Sequence, residues 1–240
     1  MKLIRTIYSA YAFIVFVLLF FVLLPFFLIP IFFQKKHNWT GVLNRIWARL
    51  FFFLLILPVN IEYRKMLNKK AQYIFCPNHF SYLDIPTMGL NAINTVFVGK
   101  SEMEKVVLFG WVYKKLHITV NRQSLKSRYS TFVSSLEAID EGKNLVIYPE
   151  GGIITTHPPA MTRFKNGAFR VAIEKQIPIV PVTIANNWII LPENLLLGHR
   201  TVKVIYHEPI PTTGLTINDL QPLKEKVALV ITNELKSIHG

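Results

Sequence analysis

Cysteine is nearly absent from this 240-residue chain: Cys76 is alone, and it sits inside an apolar run. That excludes an intramolecular disulfide and reads as a small buried hydrophobe rather than a nucleophile, in keeping with a reducing compartment. Acidic residues are scarce as well. Residues 1–70 hold ten Lys/Arg against Glu62 alone, a net charge of +9, while the other 170 hold seventeen against thirteen, a net of +4. Several signatures of chemistry are missing. There is no G-x-S-x-G elbow, since the nearest stretch, "GKSEM", lacks the final glycine. There is no G-x-x-x-x-G-K-[ST] phosphate cradle and no G-x-G-x-x-G. The seven histidines show neither H-E-x-x-H nor paired Cys/His spacing, so no metal site is expected. No internal repeat, low-complexity tract or linker divides the chain.

Charge is also missing between Thr6 and Gln34, an interval filled mostly by "IYSAYAFIVFVLLFFVLLPFFLIPIFF". The run before Pro25 is about 19 residues, or roughly 28 Å as a helix, close to one hydrocarbon thickness. Pro25 and Pro30 are expected to kink or end it. With no small-x-small cleavage site after it, the segment reads as a retained anchor. A second segment, "NRIWARLFFFLLILPV" (44–59), carries Arg45 and Arg49 one turn apart and predicts a helix at the bilayer surface with both arginines at headgroup level. Two geometries fit: a span followed by an interfacial helix, or a hairpin dipping into one leaflet. Lys35, Lys36, Arg45 and Arg49 outnumber Lys2 and Arg5, which places the rest of the chain on the cytoplasmic side. The positive charge flanks these apolar segments and so suits anionic headgroups. Nucleic acid fits poorly, because the aromatics lie within apolar runs and are not interleaved with cations.

From residue 60 short apolar runs alternate with amphipathic stretches. Strands are expected at 60–64, 72–76, 94–99, 117–120, 144–148, 178–184 and 201–207. Helices are expected at 124–141, 163–176 and 218–238. In the first of these, Leu125, Tyr129, Phe132, Val133, Leu136 and Ile139 share a face and Gly142 is the stop. The organisation is therefore membrane-anchoring helices over 1–59 followed by an α/β domain over 60–240, with a central, largely parallel or mixed sheet flanked by helices.

Functional groups of such sheets collect in loops past the strand C-termini. Three loops here carry unusual residues: "CPNHFSYLD" (76–84), "VNR" (120–122) and "YPEGG" (148–152). A carboxylate bonded to one imidazole nitrogen fixes the tautomer and stabilises the imidazolium, making the ring an effective general base. With His79 in the loop and Asp84 on the turn that starts "IPTMGLN", the interval of five becomes natural. Asp84 also suits an ordinary helix N-cap, and His79 a loop histidine bonded to backbone. In "YPEGG", Gly151 and Gly152 let the backbone approach a ligand while Glu150 offers a carboxylate to a hydroxyl or cation. Arg122 offers a bidentate anion site, and Lys100, Arg163 and Lys165 are further cations near strand or loop ends. A base without an obvious protein nucleophile or metal implies direct transfer to an alcohol.

These residues together resemble the 1-acylglycerol-3-phosphate acyltransferase family of glycerolipid acyltransferases, in order from about Tyr73 to Ile184. Asn78-His79…Asp84 is similar to its N-H-x-x-x-x-D motif, "LFGWVYKKLHITVNR" to its second, "VIYPEGG" to its third, and "FKNGAF" with "IPIVPV" to its fourth region and approach. The resemblance implies acyl transfer from a thioester, on coenzyme A or acyl carrier protein, to a lysolipid hydroxyl, most simply 1-acylglycerol-3-phosphate giving phosphatidic acid. His79 would be the base and Asp84 its orienting partner. Arg122, Glu150 and Gly151 would contact the acceptor, with Arg122 on its phosphate. No cofactor is implied beyond the acyl donor. The third motif departs from the usual F-P-E-G-T-R, with Gly152 and Ile153 in place of its threonine and arginine. Arg163 or Lys165 could compensate, or the acceptor could be a lyso-amino-acid lipid. A catalytically silent lipid-binding protein is the alternative of a different class.

Overall fold

The computed structural model describes residues 2–33, 38–121 and 123–240. Seven strands form one sheet: β1 (Val59–Tyr63), β2 (Ile74–Pro77), β3 (Thr95–Lys100), β4 (Ile118–Val120), β5 (Asn144–Ile147), β6 (Ile179–Ile184) and β7 (Val202–Tyr206). Their order across the sheet is β1-β7-β6-β2-β5-β3-β4. Each neighbouring pair is parallel except β6 with β7. Every expected strand is present, so the mixed α/β architecture follows the sequence pattern. The central strands β2 and β6 are buried at every position, as continuous apolar runs require of a sheet covered on both faces.

The helices are α1 (Lys2–Phe32), α2 (Trp39–Leu54), α3 (Asp84–Gly89), α4 (Phe109–Leu116), α5 (Leu125–Asp140), α6 (Gly167–Lys175), α7 (Asn187–Ile190) and α8 (Leu220–His239). Alternate residues of β2 feed two cores. Ile74 and Cys76 join α5, α6 and α8 on one side. Phe75, with Tyr73 just before the strand, joins Met88, Phe97, Val180 and Tyr206 on the other. Ser124 caps α5, its hydroxyl accepting the Ser127 amide, and the helix stops before Gly142, which holds φ +82°.

Three expectations are corrected here. α1 runs unbroken through Pro25 and Pro30. Its 31 residues measure about 46 Å, and an apolar helix tolerates the freed carbonyls where packed neighbours re-satisfy them. Arg45 does not sit free at headgroup level. Its guanidinium turns into the protein and donates to the carbonyls of Asn91 and Ala92 and to Asn94 Oδ1 at 2.7–2.9 Å, three acceptors that a headgroup would have to outcompete. Leu125 and Tyr129 are exposed rather than on the packed face of α5, where Thr131, Ser135, Ala138 and Ile139 are buried instead. Lys35 and Lys36 lie outside the described residues.

α1 is, among the described residues, the one helix long and apolar enough to cross a membrane. It pairs with α2 and packs on the body, sharing a core with Leu83, Leu90, Ile190 and Leu197. Gly41 permits the approach of α2: a Cβ there would lie 2.5 Å from Cα of Asn94.

Candidate active site

β2 and β5 are adjacent and parallel, so the loops after them leave the sheet side by side. The first begins with Asn78, whose amide clamps it to β6: Nδ2 donates to Ile184 O at 3.0 Å and Oδ1 accepts the Ile184 N–H at 2.7 Å. His79 follows, its Nδ1 2.9 Å from Asp84 Oδ2. That oxygen also accepts the amides of Phe80 (2.8 Å) and Ser81 (2.9 Å), so the loop closes around the carboxylate and Asp84 becomes the first residue of α3. With the carboxylate as acceptor, Nδ1 carries the proton and Nε2 offers its lone pair. Nε2 has no hydrogen-bond partner among the described residues. The pair is buried, with His79 8% and Asp84 1% exposed.

The second loop reaches back to the first. Glu150 is fully buried. Its Oε1 accepts the His79 backbone N–H at 2.8 Å, and its Oε2 accepts both the N–H and the hydroxyl of Thr162 at 3.0 and 3.1 Å. Burial raises the Glu150 pKa above the ordinary carboxylate value, and the bonds from Thr162 and His79 offset only part of that. Tyr148 lies 4.1 Å from the His79 ring, nearly stacked on it, and its hydroxyl donates to the Asp84 carbonyl at 2.9 Å. Gly151 holds φ +84°, a conformation that suits glycine, and the Lys165 side chain lies over it.

A groove of about 930 Å³ opens alongside, walled by Tyr148, Pro149, Glu150 and Gly151 from the second loop. Its apolar wall includes Leu125, Tyr129, Phe132 and Ile147, and Arg128, Arg163, Lys165, Arg170 and Lys224 line it too. The exposure of Leu125 and Tyr129 is thus explained by their place in this groove. Lys165 stands on the wall as well. Lys100, at the end of β3, is exposed and not on the wall, and Gly152 is buried outside it. His79 itself does not line the groove, but its neighbours Tyr148 and Glu150 do. Arg122 lies outside the described residues. Among the described residues no three His, Cys, Asp or Glu side chains are placed to share a metal ion.

The sequence reading passed over Asn187. It lies just past β6, 1% exposed, and its Nδ2 donates to Asp84 Oδ1 at 3.0 Å and to Thr87 Oγ1 at 2.8 Å. Both Asp84 oxygens are therefore occupied. The signal was a paired amide, Asn186-Asn187, directly after a buried strand that ends beside the His79 loop. Thr162, which anchors Glu150, stands two residues before "FKNGAF" and carries no motif of its own.

Fold and site define a class: an α/β protein whose mixed sheet carries, at the ends of two adjacent strands, a buried His–Asp pair of the kind that serves acid–base chemistry. The chain belongs to the Acyltransferase family, whose model matches residues 58–185. It is 29% identical over 209 residues to the 1-acyl-sn-glycerol-3-phosphate acyltransferase of Saccharomyces cerevisiae, covering 85% of this chain and 68% of that one. Other curated relatives are longer, and the chain spans 40% and 49% of two of them. It is 30% identical over 160 residues to the lyso-ornithine lipid O-acyltransferase of Pseudomonas aeruginosa, covering 59% of this chain and 60% of that one. The crystal structure of the 1-acyl-sn-glycerophosphate acyltransferase PlsC from Thermotoga maritima shares the fold, with a TM-score of 0.78, 98% of each chain covered and 20% identity.

Proposed function

We propose that this chain is a membrane-associated acyltransferase that moves an acyl group from a thioester to the free hydroxyl of a lysophospholipid, with 1-acylglycerol-3-phosphate as the acceptor. The observation that carries the reading is the 2.9 Å contact between His79 Nδ1 and Asp84 Oδ2, which leaves Nε2 open. His79 Nε2 takes the proton of the acceptor hydroxyl as its oxygen attacks the thioester carbonyl. The tetrahedral intermediate collapses with cleavage of the C–S bond, and the leaving sulfur receives the proton back from the imidazolium. Asp84 stays ionised and stabilises the imidazolium between the two steps. No acyl-enzyme forms. The donor is an acyl thioester of coenzyme A or acyl carrier protein.

Residues 1–59 form the membrane anchor of a catalytic unit over 60–240, on the cytoplasmic side. Of the two geometries, insertion into one leaflet has the better support. α1 is held to the body near its start, where Arg5 bonds the carbonyls of Leu196 and Leu197 and Ser9 Oγ accepts the Leu197 amide. It is held again past its middle, where Phe20 meets Phe109 at 5.4 Å. A helix packed along the body at both places, with Phe13, Leu18, Phe21 and Val22 presented outward, favours insertion beside the body over a separate span.

A second acceptor, a lyso-amino-acid lipid, is favoured by the glycine and isoleucine at 152 and 153 and by the similarity to the Pseudomonas aeruginosa protein. The test is purified protein in detergent given lysophosphatidic acid and lyso-ornithine lipid in competition, with labelled acyl-coenzyme A or acyl carrier protein and products separated by lipid class. Label in phosphatidic acid supports the first reading. Label only in ornithine lipid replaces it with the second, and no transfer from either donor overturns both.

A further inference from the structure

Lys224 is an unusual lysine. It sits on α8, 5% exposed, far in sequence from every motif discussed above. Its Nζ donates to Asn166 Oδ1 at 2.9 Å and to Gln221 Oε1 at 3.2 Å. Both acceptors are neutral, an ammonium has three N–H donors, and no carboxylate pairs with it among the described residues. Burying a charge without a counter-charge is costly. Lys224 lines the groove with Arg163 and Lys165, whose side chains make no hydrogen bond or ion pair among the described residues. The nearest acids are engaged elsewhere: Glu150 holds His79 and Thr162, and Glu225 points to Gln221.

We propose that Lys224, with Arg163 and Lys165, forms a phosphate-binding site on the groove wall, and that it supplies from the C-terminal helix the charge missing from the Gly152-Ile153 turn. Three cations share this wall, and the two nearby carboxylates pair with none of them, Glu150 being held by His79 and Thr162 and Glu225 by Gln221, so a matching anion would come with the ligand. Lys165 joins this cluster to the second loop, since its backbone N–H donates to Pro149 O at 2.7 Å and its side chain covers Gly151. Burial and the neighbouring Arg163 charge lower the Lys224 pKa, and a bound phosphate would reverse that cost.

The proposal rests on the acyl-transfer reading for its ligand but not for its test. A phosphate could arrive on the acceptor or on the donor's coenzyme A. Calorimetric titration of the full chain in detergent with lysophosphatidic acid, with coenzyme A, and with phosphate-free monoacylglycerol separates these. Lys224→Gln is expected to bind one of the two phosphate ligands about ten- to hundredfold more weakly, as for loss of a hydrogen bond to a charged group. Monoacylglycerol binding stays unchanged, and Lys224→Arg recovers most of the loss. A loss confined to lysophosphatidic acid assigns the acceptor phosphate, and one confined to coenzyme A assigns the donor. Because Lys224 is buried, the exposed pair Arg163→Gln/Lys165→Gln is measured beside it and is expected to show the same selective loss. Wild-type affinity for both phosphate ligands in both variants overturns the site, as does equal weakening of monoacylglycerol. Phosphate binding without turnover would instead sink the acyl-transfer reading and leave the site standing.

Discussion

The backbone N–H of His79 donates to Oε1 of Glu150 at 2.8 Å, joining two loops 71 residues apart in sequence. The other Glu150 oxygen is held by Thr162. Glu150 thus fixes the position of the histidine as well as standing on the groove wall. Glu150→Gln keeps the shape but sets an NH₂ against a backbone N–H whichever way the amide turns. One buried donor loses its acceptor, at about 1–3 kcal/mol. The variant is expected to show a lower denaturation midpoint and reduced acyl transfer together. A variant with wild-type stability and activity would mean that this bond does not organise the site.

His79→Ala is expected to reduce turnover by about 10²–10⁴, the range for loss of a general base, with the fold intact because the ring stacks on only one neighbour closely. Asp84→Asn is expected to be nearly as inactive and less stable. Asp84 Oδ2 accepts two backbone amides besides the histidine; an asparagine that keeps its oxygen on these three donors turns its NH₂ against the Asn187 Nδ2 donor and brings no charge to stabilise the imidazolium. Turnover and thermal midpoint, measured side by side, check both expectations.

Asn187 bonds Asp84 and does not line the groove, so its expected role is to position Asp84. Asn187→Ala removes one donor to Oδ1 and is expected to lower kcat about tenfold with little change in KM, in line with the loss of one hydrogen bond to a charged group. Asn187→Asp sets a second carboxylate against the first. Like charges this close raise an acid's pKa, so this variant is expected to be the poorer of the two near neutrality and to have its pH–rate profile displaced. Matching profiles in the wild type and both variants would reduce Asn187 to a packing residue.

The strands and the His79–Asp84 pair were legible because each is a local pattern. Apolar runs such as "PIVPVTI" become fully buried strands, and a spacing of five places the carboxylate where a loop turns into α3. What escaped depends on chain segments that meet only after folding. Asn187 reaches Asp84 across 103 residues, Lys224 reaches Asn166 across 58, and neither amide nor ammonium has a neighbour in sequence that marks it. Arg45 shows the opposite error. Its place in an apolar helix with Arg49 spoke for headgroups, but three oxygens of the 91–94 turn lie within its reach. Local polarity could not reveal them.

His117 gives a prediction for pH. It follows α4, its Nδ1 accepts the Phe97 N–H at 3.2 Å, and its ring packs against Phe97 and Tyr113 at 5.4 and 5.2 Å. Burial lowers its pKa from 6.5 to about 4. The folded chain therefore keeps the ring neutral where the unfolded chain protonates it. Above the unfolded value the group leaves stability untouched. As the pH falls from about 6.5 towards 4 the unfolded state gains the proton first, and stability drops by at most about 3 kcal/mol. Other groups titrate in that window, so the informative quantity is a difference between curves. His117→Gln stays neutral at every pH and keeps an oxygen for the Phe97 amide. Denaturant midpoints in detergent at pH 7.5 and pH 5 are expected to fall further for the wild type than for the variant. α4 packs against α1 through Phe109, so the same acidification should loosen the seat of α1. Parallel curves for the two proteins would show instead that the ring is protonated as readily in the folded state as in the unfolded one.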